Sequence, residues 1–188
     1  GLALTGVKGD ATIIVIGTIP AVILGLAFES RLDELNERPT AVAVMLIVTG
    51  LILIGTMLLR PGDRTTEELT PTDAGLIGLG QSFALIPGVS RSGMTISAGL
   101  ARGMGRVEAA RFAFLLGIPV IAGAGLLSVV RAISDGSGIT AATVVGMVVA
   151  AVTGYAAIAF LLRVIAKAGL APFGIYCIVF GGIALAAL

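Results

Sequence analysis

One arginine stands among hydroxyl-bearing residues inside a long apolar stretch. Arg91 is the only charged residue in 74–101, and Ser90, Ser92 and Thr95 lie beside it. Its guanidinium is charged at every biological pH and offers five donors in a planar fork that fits phosphate oxygens. A charge at membrane depth is costly and marks a candidate functional site by default. The pattern therefore predicts a site for a phosphate-like anion.

The backbone around Arg91 also favours an anion. Pro87 and Gly88 interrupt the helix before it, because proline removes a donor and glycine permits a sharp bend. A new half-helix is predicted to begin near Val89, with unpaired amides and the positive end of its dipole at the anion. Gly93 would let groups approach closely.

Each of these residues has an alternative role. Ser90 or Ser92 could simply cap the half-helix, a common use of serine. Thr95 could pack or bond to the backbone, and Gln81 could either point into the site or bond a neighbouring helix. Arg91 could form a buried ion pair, but the apolar stretch contains no acid, so its partner would come from elsewhere.

The composition excludes a soluble domain. Of the 188 residues, 57% are hydrophobic and 12% are charged, with a mean hydropathy of +1.09. Soluble domains carry about 25% charged residues, so the chain is predicted to be an all-α, polytopic integral membrane protein. Histidine is absent, which removes the commonest general base. The single cysteine, Cys177, can form no internal disulfide and is expected to be a small core or lipid-facing residue.

Five apolar runs are long enough to cross a bilayer, which takes about 20 helical residues. Polar connectors separate them, among them a glycine-rich turn at 134–138. The runs are 11–28, 40–59, 112–130, 139–162 and 168–188.

The stretch 74–101 is different. As one helix it would measure about 42 Å, which exceeds the roughly 30 Å hydrocarbon core. Pro87-Gly88 divides it into halves of about 20 Å, each too short to cross. These lengths predict a re-entrant helical hairpin, whose broken backbone must be surrounded by protein or by a water-filled cavity.

Charge placement favours the same topology. With the hairpin re-entrant, seven cations fall on one side and three on the other, whereas a spanning segment would give four against six. The positive-inside rule then places the N-terminus inside and the C-terminus outside. The cations on the inner side are Lys8, Arg60, Arg64, Arg102, Arg106, Arg163 and Lys167.

Two segments resemble the second signature of undecaprenyl-diphosphate phosphatases. One is Pro-Gly-Val-Ser-Arg-Ser-Gly-Met-Thr from Pro87 to Thr95, and the other is Arg-Phe-Ala-Phe-Leu-Leu-Gly-Ile-Pro from Arg111 to Pro119. The resemblance implies a multi-pass enzyme of the bacterial plasma membrane. Such an enzyme hydrolyses undecaprenyl diphosphate to the monophosphate, recycles the lipid carrier of cell-wall synthesis and confers bacitracin resistance. It also implies a fold of inverted repeats, each opening with a re-entrant hairpin.

The resemblance assigns roles by position. Arg91 and Ser90 would be the catalytic candidates and would bind the diphosphate, with Thr95 assisting. Ser92, Gly93 and Gln81 complete the set of candidate substrate-binding residues, and no metal ligand is expected within this chain.

The family's first signature is missing from this sequence. It is a glutamate-rich segment that ends in Ser-Ser-Gly-His type residues, and we expect it before Gly1. It would supply the carboxylates for a divalent cation, Mg²⁺ or Ca²⁺, together with the histidine. The chain is thus expected to be a single transmembrane domain, 1–188, that is incomplete at its N-terminus and inactive alone.

The expected partners are a polyprenyl diphosphate lipid and the membrane, without nucleic acid, and a homodimer is an open alternative to a monomer. A second class of function fits the same residues. A secondary transporter or lipid-phosphate flippase also uses broken helices whose N-termini face an anion. A purely structural membrane subunit fits least, because it leaves Arg91 without a task.

Overall fold

Seven α-helices make up most of the described chain. The structure, a computed structural model, describes residues 7–60, 62–134 and 140–188. In chain order the helices are α1 (Val7–Asn36), α2 (Pro39–Gly55), α3 (Pro71–Ser82), α4 (Arg91–Ala101), α5 (Arg106–Ser134), α6 (Ala141–Ala168) and α7 (Ala171–Ala187).

Helix ends follow local sequence signals. Thr70 begins α3 and Thr140 begins α6, and each threonine hydroxyl accepts a hydrogen bond from an amide of the first turn in a capping box. The expected polar connector after residue 28 is largely helical instead, because α1 continues to Asn36. Outside the apolar part nothing in the sequence breaks the helix until Pro39, which disfavours helical backbone in the residue before it.

Among the described residues, four helices are long and apolar enough to cross a membrane, and they match four of the five predicted runs. They are Ala11–Phe28 within α1, Pro39–Leu58, Arg106–Ser134 and Ala141–Ala168. The fifth run forms α7, an apolar helix of 17 residues. The predicted turn at 134–138 lies largely outside the described residues.

The predicted break at Pro87-Gly88 is confirmed. Helix α3 ends at Ser82, a 3₁₀ turn covers Phe83–Leu85, and α4 begins at Arg91, two residues later than expected. The two short helices pack against each other, with the backbone of Gly80 close to the Ala98 side chain. We call α3, residues 83–90 and α4 the broken hairpin, residues 83–90 its tip, and the other end its base.

The core of the protein surrounds the half of the broken hairpin that is nearer to its base. Its fully buried side chains come mainly from α3, α4 and α5, and include Ile77, Ile96, Phe112 and Leu116. Helix α1 crosses α3 where Gly78 lies directly against the Gly17 carbonyl, so neither helix can move away without losing the contact. This packing holds α3 between α1 and the rest of the hairpin.

Helices α2 and α7 pack backbone to backbone. A Cβ atom on Gly50 would lie 2.6 Å from the Gly174 carbonyl oxygen, and one on Gly174 would lie 2.7 Å from the Gly50 carbonyl oxygen. Small residues allow such close approach between membrane helices. Cys177 lies in this interface as a free, buried thiol, as the core interpretation predicted.

Helices α5 and α6 are much more exposed. Within α6 only Ile165 is buried, and an apolar groove of about 640 Å³ separates this helix from α5. Phe114 and Ile118 line the groove from α5, and Ile158 lines it from α6. Such exposed apolar faces suit contact with lipid or with another protein segment.

A buried carboxylate closes the base of the broken hairpin. One Asp73 oxygen lies 2.8 Å from Arg64 Nη2, and the other lies 2.6 Å from Arg102 Nη2 and 2.7 Å from Arg102 Nε. The Thr70 amide and hydroxyl also donate to Asp73, at 3.0 and 2.8 Å. The side chain of Asp73 is only 3% exposed. We call Arg64, Asp73 and Arg102 the base cluster.

These contacts keep Asp73 ionised. Hydrogen bonding from Arg64 comes first, and Thr70 and Arg102 add to it. Although burial opposes them, together they hold the pKa of Asp73 well below its usual range. A carboxyl with a lowered folded-state pKa stabilises the fold above its unfolded pKa, and it loses that contribution as pH falls through the folded value.

Replacing Asp73 by asparagine is therefore expected to lower the free energy of unfolding by about 2 to 3 kcal/mol, because two partly buried guanidinium groups lose their carboxylate. SDS titration in mixed micelles would measure the change. The difference from wild type should be constant from about pH 5 to 8 and shrink below about pH 4, the ordinary carboxyl range. An asparagine variant as stable as wild type at pH 7 would contradict this account.

Candidate functional site

Arg91 is the first residue of α4 and is half-buried, with its guanidinium against α5. Its Nη2 atom lies 4.0 Å from the position that a Cβ atom would occupy on Gly117. Nη2 is buried and has no hydrogen-bond partner among the described residues. The alternative of a buried ion pair finds no support in the described part of the chain, where the observed ion pairs involve other arginines.

Ser90 is the N-cap of α4. Its hydroxyl accepts a hydrogen bond from the Gly93 amide at 3.2 Å. The capping role considered from the sequence is therefore the one that the geometry displays for Ser90, while Ser92 is half-buried in the first turn. The amides of Arg91 and Ser92 have no partner within the helix, as at any helix start, and can face an anion.

Thr95 lies one turn into α4 and is 1% exposed. Its hydroxyl donates to the Arg91 carbonyl at 2.8 Å, the backbone bond that we considered as its alternative role. The proton of this hydroxyl is thus engaged, although its oxygen can still accept. In this arrangement Thr95 fixes the first turn of α4 around Arg91.

Helix α2 holds the tip of the broken hairpin. Thr49 is fully buried; its hydroxyl lies 3.3 Å from the Gly88 carbonyl oxygen and 3.4 Å from the Ser90 amide, so it bridges the two sides of the break. Gly93 packs against the same helix, because a Cβ atom there would lie 2.9 Å from a methyl group of Leu53. Gly93 thus allows the close approach that its position predicted, with α2 as the approaching group.

Gln81 lies in the last turn of α3 and is 2% exposed. Neither its side-chain nitrogen nor its side-chain oxygen has a hydrogen-bond partner among the residues that the structure describes. Within these residues the bond to a neighbouring helix, considered as its alternative, is not found. Because buried polar groups are almost always satisfied, an orphaned amide of this kind calls for an explanation, such as an ordered ligand or a water molecule.

The tip lies near the middle of α2. Thr49, which contacts both sides of the break, is about 15 Å along the helix from Pro39, at 1.5 Å per residue. The remaining length to Leu58 is similar. The helix start that carries Arg91 therefore lies beside the middle of an apolar helix, where broken backbone must be surrounded by protein or line a water-filled cavity.

The described residues offer no set of metal ligands. They contain no group of three or more histidine, cysteine, aspartate or glutamate side chains that could hold a metal ion. Glu108 lies three residues before Arg111 in α5, and the two side chains form an ion pair at 2.8 Å. The orphaned atoms of Gln81 and Arg91 include a single oxygen, which does not make a divalent-cation site.

Sequence reasoning missed the contributions of Thr49 and Gly117. Thr49 is a lone hydroxyl in an apolar run, and a polar group in a membrane helix is a signal that it bonds to another helix. Nothing in the sequence, however, says which one. Gly117 lies in the Arg111–Pro119 motif, and the Arg91 guanidinium packs beside it, with Nη2 at van der Waals distance from the position of an added Cβ atom.

Substituting alanine for Gly88 is expected to disrupt the tip. Gly88 has a φ of +88°, and a Cβ atom there would overlap the Val42 carbonyl oxygen. The variant should lose at least about 2 kcal/mol of stability through backbone strain and displacement of α2. Gly75→Ala is the matched control, because nothing lies within 4 Å of that added Cβ. SDS titration of both proteins would check this, and equal stabilities would contradict it.

Comparison with known proteins gives a consistent result. The chain matches the family described as bacitracin resistance protein BacA over residues 7–183. Among curated relatives, an undecaprenyl-diphosphatase of Pelobacter propionicus is 41% identical over 173 residues, which cover 90% of this chain and 63% of the relative. Those of Geotalea daltonii and Thermodesulfovibrio yellowstonii are 41% and 43% identical, over 92% and 82% of this chain.

The chain is shorter than these relatives, since the matched regions span 63%, 65% and 60% of their respective lengths. The match nevertheless covers both segments that carry the family resemblance and every described helix at least in part. With its apolar helices, it is a multi-pass membrane protein, and it belongs to the BacA family.

Proposed function

We propose that the chain forms the diphosphate-binding part of an undecaprenyl-diphosphatase in the bacterial plasma membrane. The reaction would cleave the bond between the bridging oxygen and the terminal phosphorus of undecaprenyl diphosphate. Water would add to that phosphorus, and undecaprenyl phosphate and inorganic phosphate would leave. The observation that carries the proposal is the buried, unpartnered Nη2 of Arg91 at the N-terminus of α4.

Arg91 would hold the diphosphate by charge and by its forked donors. Phosphoryl transfer depends mostly on positioning and on stabilising charge, so a fixed guanidinium beside free helix amides suits it. The amides of Arg91 and Ser92 add donors that need no reorganisation. Because every one of these groups favours the anion, the site would bind the headgroup while the polyprenyl chain stays in an apolar surrounding.

The remaining candidates would support this cradle. The hydroxyl groups of Ser90 and Thr95 form hydrogen bonds with the first turn of α4, so both residues would hold its backbone in place. Ser90 is a poor nucleophile in this setting, because no general base lies within the described site to take its proton. Gln81 would satisfy its amide on a phosphate oxygen or on a water molecule held by it.

A divalent cation, Mg²⁺ or Ca²⁺, belongs to the proposal, but the described residues do not supply its ligands. Its carboxylate partners would lie outside these 188 residues. When bound, such an ion supplies charge neutralisation on the phosphates. No part of the role assigned to Arg91 depends on it.

The broken hairpin would be re-entrant from the side of the N-terminus, and α7 would be a fifth crossing. Both ends of the hairpin meet at the base cluster, and the tip lies at mid-depth of α2, which supports a segment that enters and leaves on one side. The 17 residues of α7 reach about 25 Å, enough to cross a thin hydrocarbon core. A homodimer would use the exposed faces of α5 and α6.

A transporter or flippase would need the same arginine, since both bind an anion at a broken helix. The relatives' names favour hydrolysis over transport. Phosphate release from a lipid diphosphate separates the two, because a carrier moves its substrate unchanged.

Arg91→Ala is expected to reduce phosphate release from undecaprenyl diphosphate by at least about a hundredfold, because one preorganised charged donor is lost. The assay would use the full-length protein in detergent, with Arg131→Ala, an exposed arginine of the last turn of α5, as control. The 188-residue chain alone should release no phosphate. Wild-type turnover by the Arg91 variant would remove this residue from the mechanism.

Single cysteines at Glu67 and Ala101 are expected to react with an impermeant maleimide from the same face of the membrane. The substitutions Glu67→Cys and Ala101→Cys are made one at a time in a Cys177→Ala background. Both positions are exposed, one before α3 and the other at the end of α4. Labelling would be compared between intact spheroplasts and inverted vesicles. If the two cysteines reacted from opposite faces, the hairpin would be a spanning segment.

A further inference from the structure

The base cluster is separated from the candidate site by the full length of α4. Arg102 follows the last residue of that helix, and Arg91 is its first residue, so the two lie about 16 Å apart along the helix axis. No atom of the base cluster can therefore touch a ligand at Arg91. An effect of Asp73 on the site would have to pass through the placement of α4.

At the tip, hydrogen bonds join α4 to α3 less directly than at the base. Within residues 83–90 the backbone-to-backbone bonds are short-range turn bonds, from the Ile86 amide to the Phe83 carbonyl and from the Val89 amide to the Ile86 carbonyl, each at 3.1 Å. Such a segment has no regular helical bonds that would set the axial position of α4 against α3. Helix α2 adds the two long contacts of Thr49, at 3.3 and 3.4 Å.

The base, in contrast, is fixed by short, charge-assisted bonds. Asp73, in the first turn of α3, binds both Arg102, at the end of α4, and Arg64, in the connector between α2 and α3. The connector is joined to the same end by backbone bonds, from the Arg64 amide to the Gly103 carbonyl at 3.2 Å and from the Gly105 amide to the Arg64 carbonyl at 3.3 Å. Arg64 Nη1 adds a bond of 2.7 Å to the Arg102 carbonyl.

In the base cluster the carboxylate is buried, whereas the side chains of Arg64 and Arg102 are 32% and 41% exposed. Desolvation offsets part of the attraction in such a cluster, so its directional bonds can select one arrangement as well as add stability. Packed helices can slip by one turn, about 5.4 Å, when nothing polar sets their register. A slip of that size would carry the Arg91 guanidinium away from its place beside Gly117.

We propose that Asp73 is a positioning residue for Arg91: by binding Arg64 and Arg102 it sets the register of α4 against α3, and so places the guanidinium at the diphosphate. The proposal rests on the proposed function of the site. Arg64 and Arg102 are the charged groups that face Asp73 from the connector and from α4, and Thr70 faces it from its own helix.

A double-mutant cycle between Asp73 and Arg91 tests this in the full-length protein. The variants are Asp73→Asn, Arg91→Lys and their combination, with Glu108→Gln as a control that removes an exposed ion pair from the start of α5. The readout is kcat/KM for phosphate release from undecaprenyl diphosphate. The temperature is chosen so that circular dichroism shows all proteins folded.

We expect Asp73→Asn to lower kcat/KM about tenfold in the wild-type background, and less than about twofold in the Arg91→Lys background, since coupled residues are non-additive. Glu108→Gln should change it less than twofold in both. If Asp73 had a purely structural role, Asp73→Asn would lower kcat/KM by the same factor in the wild-type and Arg91→Lys backgrounds. Equal losses in the two backgrounds would therefore overturn the proposal while leaving the function of the site intact.

A wild-type protein that releases no phosphate would count against the proposed function instead. The same cycle would then be read from the affinity for methylenediphosphonate, measured by titration calorimetry in nanodiscs. Non-additive losses of affinity would support the positioning role without hydrolysis, and additive losses would overturn it. Absence of both turnover and binding in the wild type would overturn the site and the positioning role together.

Discussion

A guanidinium that cannot lose its proton lies half-buried among apolar helices and has no carboxylate to neutralise it among the described residues. The other arginines that the structure places near acids are paired: Arg64 and Arg102 share Asp73, and Arg111 binds Glu108. Arg91 departs from that rule at the place where an uncompensated charge costs most. The chain retains this cost, and the binding of an anion is the physical process that would remove it.

The broken hairpin gives its two ends opposite tasks. At the base, Asp73 offsets one of the two arginine charges and both of its carboxylate oxygens accept hydrogen bonds, so this end is closed. At the tip, a helix begins in an apolar surrounding with free amides, and a guanidinium and an amide side chain stay unsatisfied. Because the base holds α3 and α4 together, the tip does not have to maintain their packing. The polar groups at the tip can therefore remain available to a ligand.

Much of this arrangement could be predicted because it depends on local chemistry. Pro87 and Gly88 interrupt a helix wherever they occur, and an arginine between serines beyond such a break has few other uses. The burial of Gln81 without a partner and the contact of Thr49 with the break depend on which faces meet across helices, and sequence periodicity does not give that register in a nearly uniform apolar chain. Nothing in the sequence links Asp73 to Arg64, which the packing of Gly62 on Gly103 and the backbone bonds between Arg64 and Gly103 bring close to it.

The extension of α1 to Asn36 has a related cause. The polar residues after 28 end the apolar run, but a helix ends where its backbone bonding ends and not where its hydrophobicity does. The same distinction applies to α5, which begins at Arg106, ahead of its apolar part. In this chain the apolar segments and the helices begin and end at different residues, and composition indicates only the limits of the apolar segments.

The backbone contact between α2 and α7 has a consequence for movement. Gly50 and Gly174 leave no side chain between the two helices, so neither can shear past the other without a backbone collision. Helices α2 and α7 are therefore expected to stay fixed relative to each other, and α2 contacts the hairpin tip. Helices α5 and α6 are separated by an apolar groove instead, so relative movement of helices is expected to be easier on that side.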